Sequence, residues 1–222
     1  MYGTTYDVAA TVSTTNRSLT REAIAAAALA LVDEEGLDAL SMRRLAARLD
    51  VGTMTLYGYF RGKDELLDAV VDAAAAEAPS RAPRGAGWRE EVAEVARSIR
   101  AGLERHPGLV QLRLRRPILT VGALRGTEAA TSALLEAGLD RAEAARSFRS
   151  LFLYTFGFVA FSTGGTPEEL RRRTREAAER LPEDEFPVLR ASVEEMADTL
   201  GGDEQFEFGL QALLDGIAAR LA

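Results

Sequence analysis

The stretch VGTMTLYGYFRGKDELL, Val51 to Leu67, decides the fold of this chain. Between Thr53 and Phe60 it gathers two threonines, two tyrosines and a phenylalanine, a run too short and too polar for a core helix. It follows a sharp Asp50-Val51-Gly52 break and precedes a basic Arg61-Gly62-Lys63 turn. Short side chains such as Thr53 and Thr55 let a backbone come close to base edges, where threonine hydrogen-bonds or touches a thymine methyl. Tyr57, Tyr59 and Lys63 have the reach for phosphates, contacts that fix position without reading sequence, although the two tyrosines also suit plain packing of a small helical domain. Leu56 and Phe60, four residues apart, belong on the opposite face, against a core.

Upstream, Ser41 is a good N-cap for a short helix with Leu45, Ala46 and Leu49 inward and Arg43, Arg44 and Arg48 outward. Arg43 has the planar fork that reads guanine or else stays solvated, whereas Arg48 suits a solvated face. Two short helices joined by a tight turn, the second rich in hydroxyls, describe a helix-turn-helix whose second helix lies in the major groove. Before them, Thr20 caps a helix stapled by Leu19 and Ile24 and closed at Gly36. After them, Leu66, Leu67, Val70, Val71 and Ala74 form the stripe of a longer helix.

The formal charge of −7 excludes a protein coated in basic residues. Local charge is what meets phosphate, however, and it is concentrated in this region. Arg43, Arg44, Arg48, Arg61 and Lys63 face the lone acid Asp50 between Ser41 and Lys63, and Lys63 is the single lysine of the chain. No cysteine is present, which removes disulfides and thiolate metal sites and fits a reducing, cytoplasmic setting. No apolar run approaches the roughly 20 residues of a membrane span. The alanine- and arginine-rich composition suggests a G+C-rich bacterial genome.

The remaining sequence is helical in period throughout, without hairpin signatures or internal repeats. Residues 1–17 read as a flexible tail, and Ala78 to Gly87, with its prolines and glycines, as a linker. Three segments are therefore expected: the tail, a DNA-binding domain over 18–77 and a helical domain over 78–222. Trp88, Val92, Val95, Ile99 and Leu103 make one stripe, ended near His106-Pro107, with His106 a helix-ending residue. Asp140 with Glu143 opens a helix apolar nearly all round through Phe148, Phe152, Phe156 and Val159, so it is buried on several sides. Thr166-Pro167 starts another helix, and Phe206, Leu210, Leu213, Leu214, Ile217 and Leu221 stripe the last. Core, dimer interface and ligand pocket compete for that apolar surface. The carboxylates fall on caps and solvated faces, the single histidine has no metal-ligand neighbours in sequence, and no glycine loop cradles phosphate, all of which argues against an enzyme.

Ser18 to Val70 resembles the DNA-binding domain of the TetR family of bacterial transcriptional repressors. The resemblance rests on an ordered set: the alanine-rich helix ending in Glu-Glu-Gly-Leu, Ser-Met-Arg-Arg-Leu-Ala, Leu-Tyr-x-Tyr-Phe, then Gly-Lys-Asp-Glu-Leu-Leu. It implies DNA contacts at Arg43, Thr53, Met54, Thr55, Tyr57, Gly58, Tyr59 and Lys63. Gly58 departs from the larger polar or aromatic residue usual there. WREEVAEVARSIRAGLERHPGLVQLRLRRP and DEQFEFGLQALLDGI are similar to the tetracycline-repressor branch of regulatory domains.

That second resemblance implies a four-helix dimer interface from the Asp140 and Asp203 helices. It also implies an effector pocket at Val95, Ile99, Leu112, Arg116, Pro117, Phe148 and Phe152. The phenylalanines are equally readable as plain core, and Arg116 as an anion partner or a helix cap. The histidine that holds magnesium in tetracycline repressors is matched by Leu112, and Phe156 to Thr166 has no carboxylate, so no metal or other cofactor is expected. The expectation is an all-α homodimer: a three-helix helix-turn-helix domain plus a helical ligand-binding and dimerisation domain. It would repress from a near-palindromic operator in double-stranded DNA and be released by a largely apolar small molecule. An activator, or a DNA-binding protein governed by a protein partner, remains open on sequence alone.

Overall fold

The computed structural model describes residues 19–77, 86–162 and 166–221. The expected tail (1–17) and most of the expected linker lie outside the described residues. Among the described residues every regular element is helical.

Helix α1 (Arg21–Glu35) starts where Thr20 Oγ1 accepts the Ala23 amide, and ends at Gly36, whose φ of 86° suits a residue without a Cβ. A short 3₁₀ turn (Leu37–Ala39) leads to α2 (Met42–Arg48), capped by Ser41 through the Arg44 amide. Asp50 then turns the chain with φ 53°, a left-handed conformation that aspartate tolerates better than most residues, and α3 (Thr53–Tyr57) follows. The expected third helix reached Phe60. The regular helix stops at Tyr57, and a turn carries Phe60 back into the core through its amide bond to the Leu56 carbonyl.

Helix α4 (Lys63–Ala76) packs along α1. One core joins α1 to α4 around Ile24, Leu45, Leu56, Phe60 and Leu66, all at most 1% exposed. Helices α5 (Trp88–Arg105), α6 (Pro107–Arg115), α7 (Val121–Glu136), α8 (Arg141–Ser162) and α12 (Asp203–Ala218) form the second half. Its core lies between α5, α7, α8 and α12, around Leu134, Leu151, Phe206 and Leu210. Asp140 Oδ1 accepts the Glu143 amide at 2.8 Å and so opens α8. Between α8 and α12, α9 (Pro167–Glu179), α10 (Pro187–Ala191) and α11 (Val193–Asp198) pack mainly on one another.

The two halves are not separated by a clean gap. Leu109 and Leu112 of α6 belong to the first core, and α7 lies against α4. At Gly122 the approach is so close that a Cβ would meet Asp72 Oδ1 at 2.6 Å and Ala75 Cβ at 2.9 Å. The Gly122 amide instead donates to Asp72 Oδ1 at 2.7 Å. His106, 4% exposed, ends α5 and precedes α6, as its place before Pro107 implied. It also ties the halves: Nδ1 lies 2.8 Å from Asp33 Oδ2 of α1, and Nε2 3.3 Å from Glu77 Oε2 without hydrogen-bond alignment.

Candidate nucleic-acid interface and ligand cavity

Helix α3 is held from behind and open in front. Leu56 and Phe60 are buried, whereas Met54 is 78% exposed and Thr55, Tyr57 and Gly58 are exposed with it. Thr53 is partly covered. Arg21 braces the far end of the helix. Its guanidinium sits 4.2 Å from the Phe60 ring centroid, pairs with Glu65 at 2.8 Å and donates to the Tyr59 carbonyl.

Tyr59 departs from its expected place on phosphate. Its hydroxyl donates to the Leu19 carbonyl at 2.8 Å, so that proton is committed to joining α1 to the end of the reading helix. The physical reason is position: Tyr59 follows α3 by two residues, where the chain already turns inward toward Phe60. Tyr57, 47% exposed, keeps an outward hydroxyl.

The basic window is also sorted by its partners. Arg48 forms a two-pronged bond to Glu34 with both N–O distances 2.6 Å, which holds the Glu34 carboxyl below its usual value. Arg44 pairs with Glu35. Arg43, Arg61 and Lys63 have no carboxylate within ion-pair distance among the described residues, and all three are exposed. The positive charge free to meet a polyanion is thus narrowed to Arg43 on α2 and the Arg61–Lys63 corner. These flank α3 on either side in the chain.

A cavity of about 1230 Å³, open to solvent on one side, lies between α4 of the first half and α5, α6, α7 and α8 of the second. Four of the seven expected ligand residues line it: Val95 and Ile99 of α5, Phe148 and Phe152 of α8. Phe156 continues the aromatic wall, 6.0 Å from Phe152 with planes 16° apart. The other three lie elsewhere. Leu112 is 3% exposed in the core shared with α1 and α4. Arg116 is bonded to α4, with Nη2 2.5 Å from Asp68 Oδ1 and Nη1 3.5 Å from Asp64 Oδ1. Pro117 is exposed and off the wall. Leu112 is buried in the core of the first half and Arg116 reaches the acids of α4, whereas Leu109 and Arg113 line the cavity.

Arg113, Leu103, Ile118 and the α4 residues Val71 and Ala74 also line the cavity and were not expected there. The sequence signal for the α4 pair was present, since a stripe from Leu66 to Ala74 is longer than one small domain needs to cover. Nothing in the run Arg113-Leu-Arg115-Arg116 distinguishes which arginine faces inward. Among the described residues no group of histidine and carboxylate side chains is arranged to hold a metal ion. Among the described residues no helix is long and apolar enough to cross a membrane.

Residues 24–70 match the family described as bacterial regulatory proteins, tetR family, and residues 80–221 match the tetracyclin repressor-like C-terminal domain. The chain belongs to the TetR family. Its TetR-family relatives include the HTH-type transcriptional repressor DrrR1 of Streptomyces coeruleorubidus, 36% identical over 92% of this chain and 79% of the relative. The class A tetracycline repressor protein of Escherichia coli is 34% identical over 87% and 88%. Among solved structures, the Streptomyces coelicolor TetR family protein ActR in complex with actinorhodin superimposes with a TM-score of 0.78. That match has 31% identity over 92% of this chain and 99% of that one. Like these relatives, the chain is a helix-turn-helix regulator of transcription rather than a member of an enzyme family.

Proposed function

We propose that this TetR-family chain is a homodimeric, ligand-released repressor. Residues 18–77 would read the operator, and residues 78–222 would bind the effector and dimerise. The observation that carries the reading is the contrast around α3. Thr55, Met54 and Tyr57 are exposed on the segment flanked by Arg43, Arg61 and Lys63, which form no direct ion pair among the described residues, in a protein of net charge −7 whose other basic residues near α3 are already paired. Thr53, Met54, Thr55 and Gly58 are assigned to the groove, Arg43 to a guanine edge, and Tyr57 and Lys63 to phosphate. Tyr59 is assigned a positioning role through Leu19.

Dimerisation is supported by apolar side chains that α8 and α12 leave uncovered, Leu153 at 51% and Phe208 at 72% exposed. Pairing both helices with those of a second copy would bury them in a four-helix seam. A two-fold dimer presents its reading helices roughly 34–36 Å apart and selects a near-palindromic site. The cavity, walled by α4 as well as by α5 to α8, supports release. An effector that binds better when α4 has shifted moves the reading head with it, and the differential binding free energy is the loss of operator affinity. Actinorhodin in ActR shows that a relative of this fold holds a small molecule in its crystal structure.

Selection of randomised duplex DNA on the purified protein tests the reading. A palindrome with half-sites one helical turn apart is the expected product. Absence of any enriched motif at low salt, from protein unfolded and refolded to strip bound molecules, would overturn it.

A further inference from the structure

The aromatic wall of the cavity carries a half-buried cation, Arg113, that no carboxylate pairs with among the described residues. Arg113 lines the cavity beside Phe152, its guanidinium carbon 5.4 Å from that ring's centroid. It is half-buried and has no carboxylate within ion-pair distance and no hydrogen-bond acceptor among the described residues. Its neighbours are all committed: Arg115 pairs with Asp38, and Arg116 with Asp64 and Asp68. The acids on the wall do not reach it. Glu91 and Glu94 of α5 and Glu128 of α7 line the cavity, and none forms an ion pair with Arg113; Glu94 lies 4.0 Å from Arg97 instead. A half-buried guanidinium without a counter-charge is costly to keep, and its planar fork matches a carboxylate or similar oxyanion.

Beside it, Phe148, Phe152 and Phe156 form a row with centroid spacings of 6.3 and 6.0 Å. Rings so arranged present a flat apolar surface to which another aromatic system packs by offset stacking or edge contact.

We propose that the effector is an aromatic acid: a flat, fused-ring body against the phenylalanine row, with an anionic group held in the fork of Arg113. The proposal rests on the cavity being the effector site. It gives an anion-binding role to Arg113, one turn before Arg116, for which the sequence left an anion partner and a helix cap equally open. Arg125 and Arg149, exposed and also on the wall, add positive charge. A neutral ligand of the same shape would leave the Arg113 charge unanswered.

Two probes separate shape from charge. 8-Anilinonaphthalene-1-sulfonate and N-phenyl-1-naphthylamine share their ring system and differ in the sulfonate, and both fluoresce on binding. The measurement is the ratio of their affinities for the full-length protein, for Arg113→Gln, for Arg113→Lys and for Phe152→Ala. Thermal melts confirm that each variant folds. The wild type is expected to favour the sulfonate. Arg113→Gln should lower the sulfonate-to-neutral ratio about tenfold or more, as for loss of a charged hydrogen bond. Arg113→Lys should keep part of the preference, and Phe152→Ala should weaken both probes.

If both probes respond to Phe152→Ala but the ratio is unchanged in Arg113→Gln, the acid assignment is overturned and the cavity remains the effector site. If neither probe responds to Phe152→Ala, the cavity itself is the wrong site and the acid assignment falls with it. Should Arg113→Gln fail to fold, an Arg113→Lys ratio above that of the wild type overturns the assignment by itself, because the compact ammonium cannot reproduce the fork.

Discussion

Phe60 and Phe152 are both phenylalanines turned inward from helical segments, and they are packed very differently. Phe60 is 1% exposed, pinned between α1 and α4 with Arg21 over its ring. Phe152 is half-buried and faces a cavity of about 1230 Å³. The reading head is filled; the regulatory half keeps space. A filled core holds α3 at one angle, as recognition of a fixed groove demands. Retained space means that the surrounding helices have more than one acceptable packing, which is what a molecule entering it exploits.

The same substitution applied in both places gives the largest expected contrast. Phe60→Ala should cost about 3–5 kcal/mol of unfolding free energy, because the hole left behind cannot collapse. Phe152→Ala should cost about 1 kcal/mol, since its ring is only partly removed from water in the folded state. Urea unfolding of the two variants measures this. Equal losses would mean that the cavity is closed in solution and the contrast is not real.

The seam between the two regions comes next in size. Gly122→Ala places a methyl where Asp72 and Ala75 already stand, so α7 must back away from α4 at a cost of about 1–3 kcal/mol. Operator affinity should change as well, although Gly122 lies on α7, outside the reading head. Unchanged operator binding in a destabilised Gly122→Ala protein would show that α4 does not transmit to α3.

Within the reading head, free and paired cations should separate. Lys63→Ala and Tyr57→Phe should each weaken binding by about 1 kcal/mol on all duplex sequences alike, as phosphate contacts do. Arg48→Ala should change it by no more than ~0.5 kcal/mol, its charge being already answered by Glu34. Filter binding at two salt concentrations checks both, and a larger effect from Arg48 than from Lys63 would reverse the assignment.

How much of this the sequence disclosed follows the same division. In the reading head, local rules and tertiary need coincide. Thr20 and Ser41 are side-chain caps where expected, Leu19 packs on the core as the staple requires, and Leu56 and Phe60 are buried. Tyr59 escaped because its commitment is to a backbone carbonyl 40 residues away, which no local pattern encodes. In the regulatory half the stripes of α5 and α8 were plain, but which of their residues meet a neighbour and which meet empty space depends on how five helices diverge. Leu112 and Arg116 went to the head's side of α6 and Arg113 to the cavity's side. Arg116 is drawn across by Asp64 and Asp68 of α4, 52 and 48 residues earlier in the chain. Helical period gives the angle between side chains on one helix. It does not give the rotation of that helix against its neighbours.

The smallest expected effect bears on the packing of α5, which carries cavity residues, against α12. Glu207 of α12 accepts from Arg97 of α5 at 2.8 and 3.0 Å, and this bond holds its carboxyl below the ordinary value of 4.5. A carboxyl lowered in the folded state stabilises the fold above its unfolded value, and that stability is lost as pH falls through the folded value. Both side chains are about one-third exposed, at 34% and 38%, so solvent screening limits the effect to a few tenths of a kcal/mol. Glu207→Gln should therefore melt slightly below the wild type near neutral pH. The gap should close on acidification below the usual glutamate range, and also in high salt. A gap that persists in acid would mean that Glu207 holds α5 to α12 by shape rather than by charge.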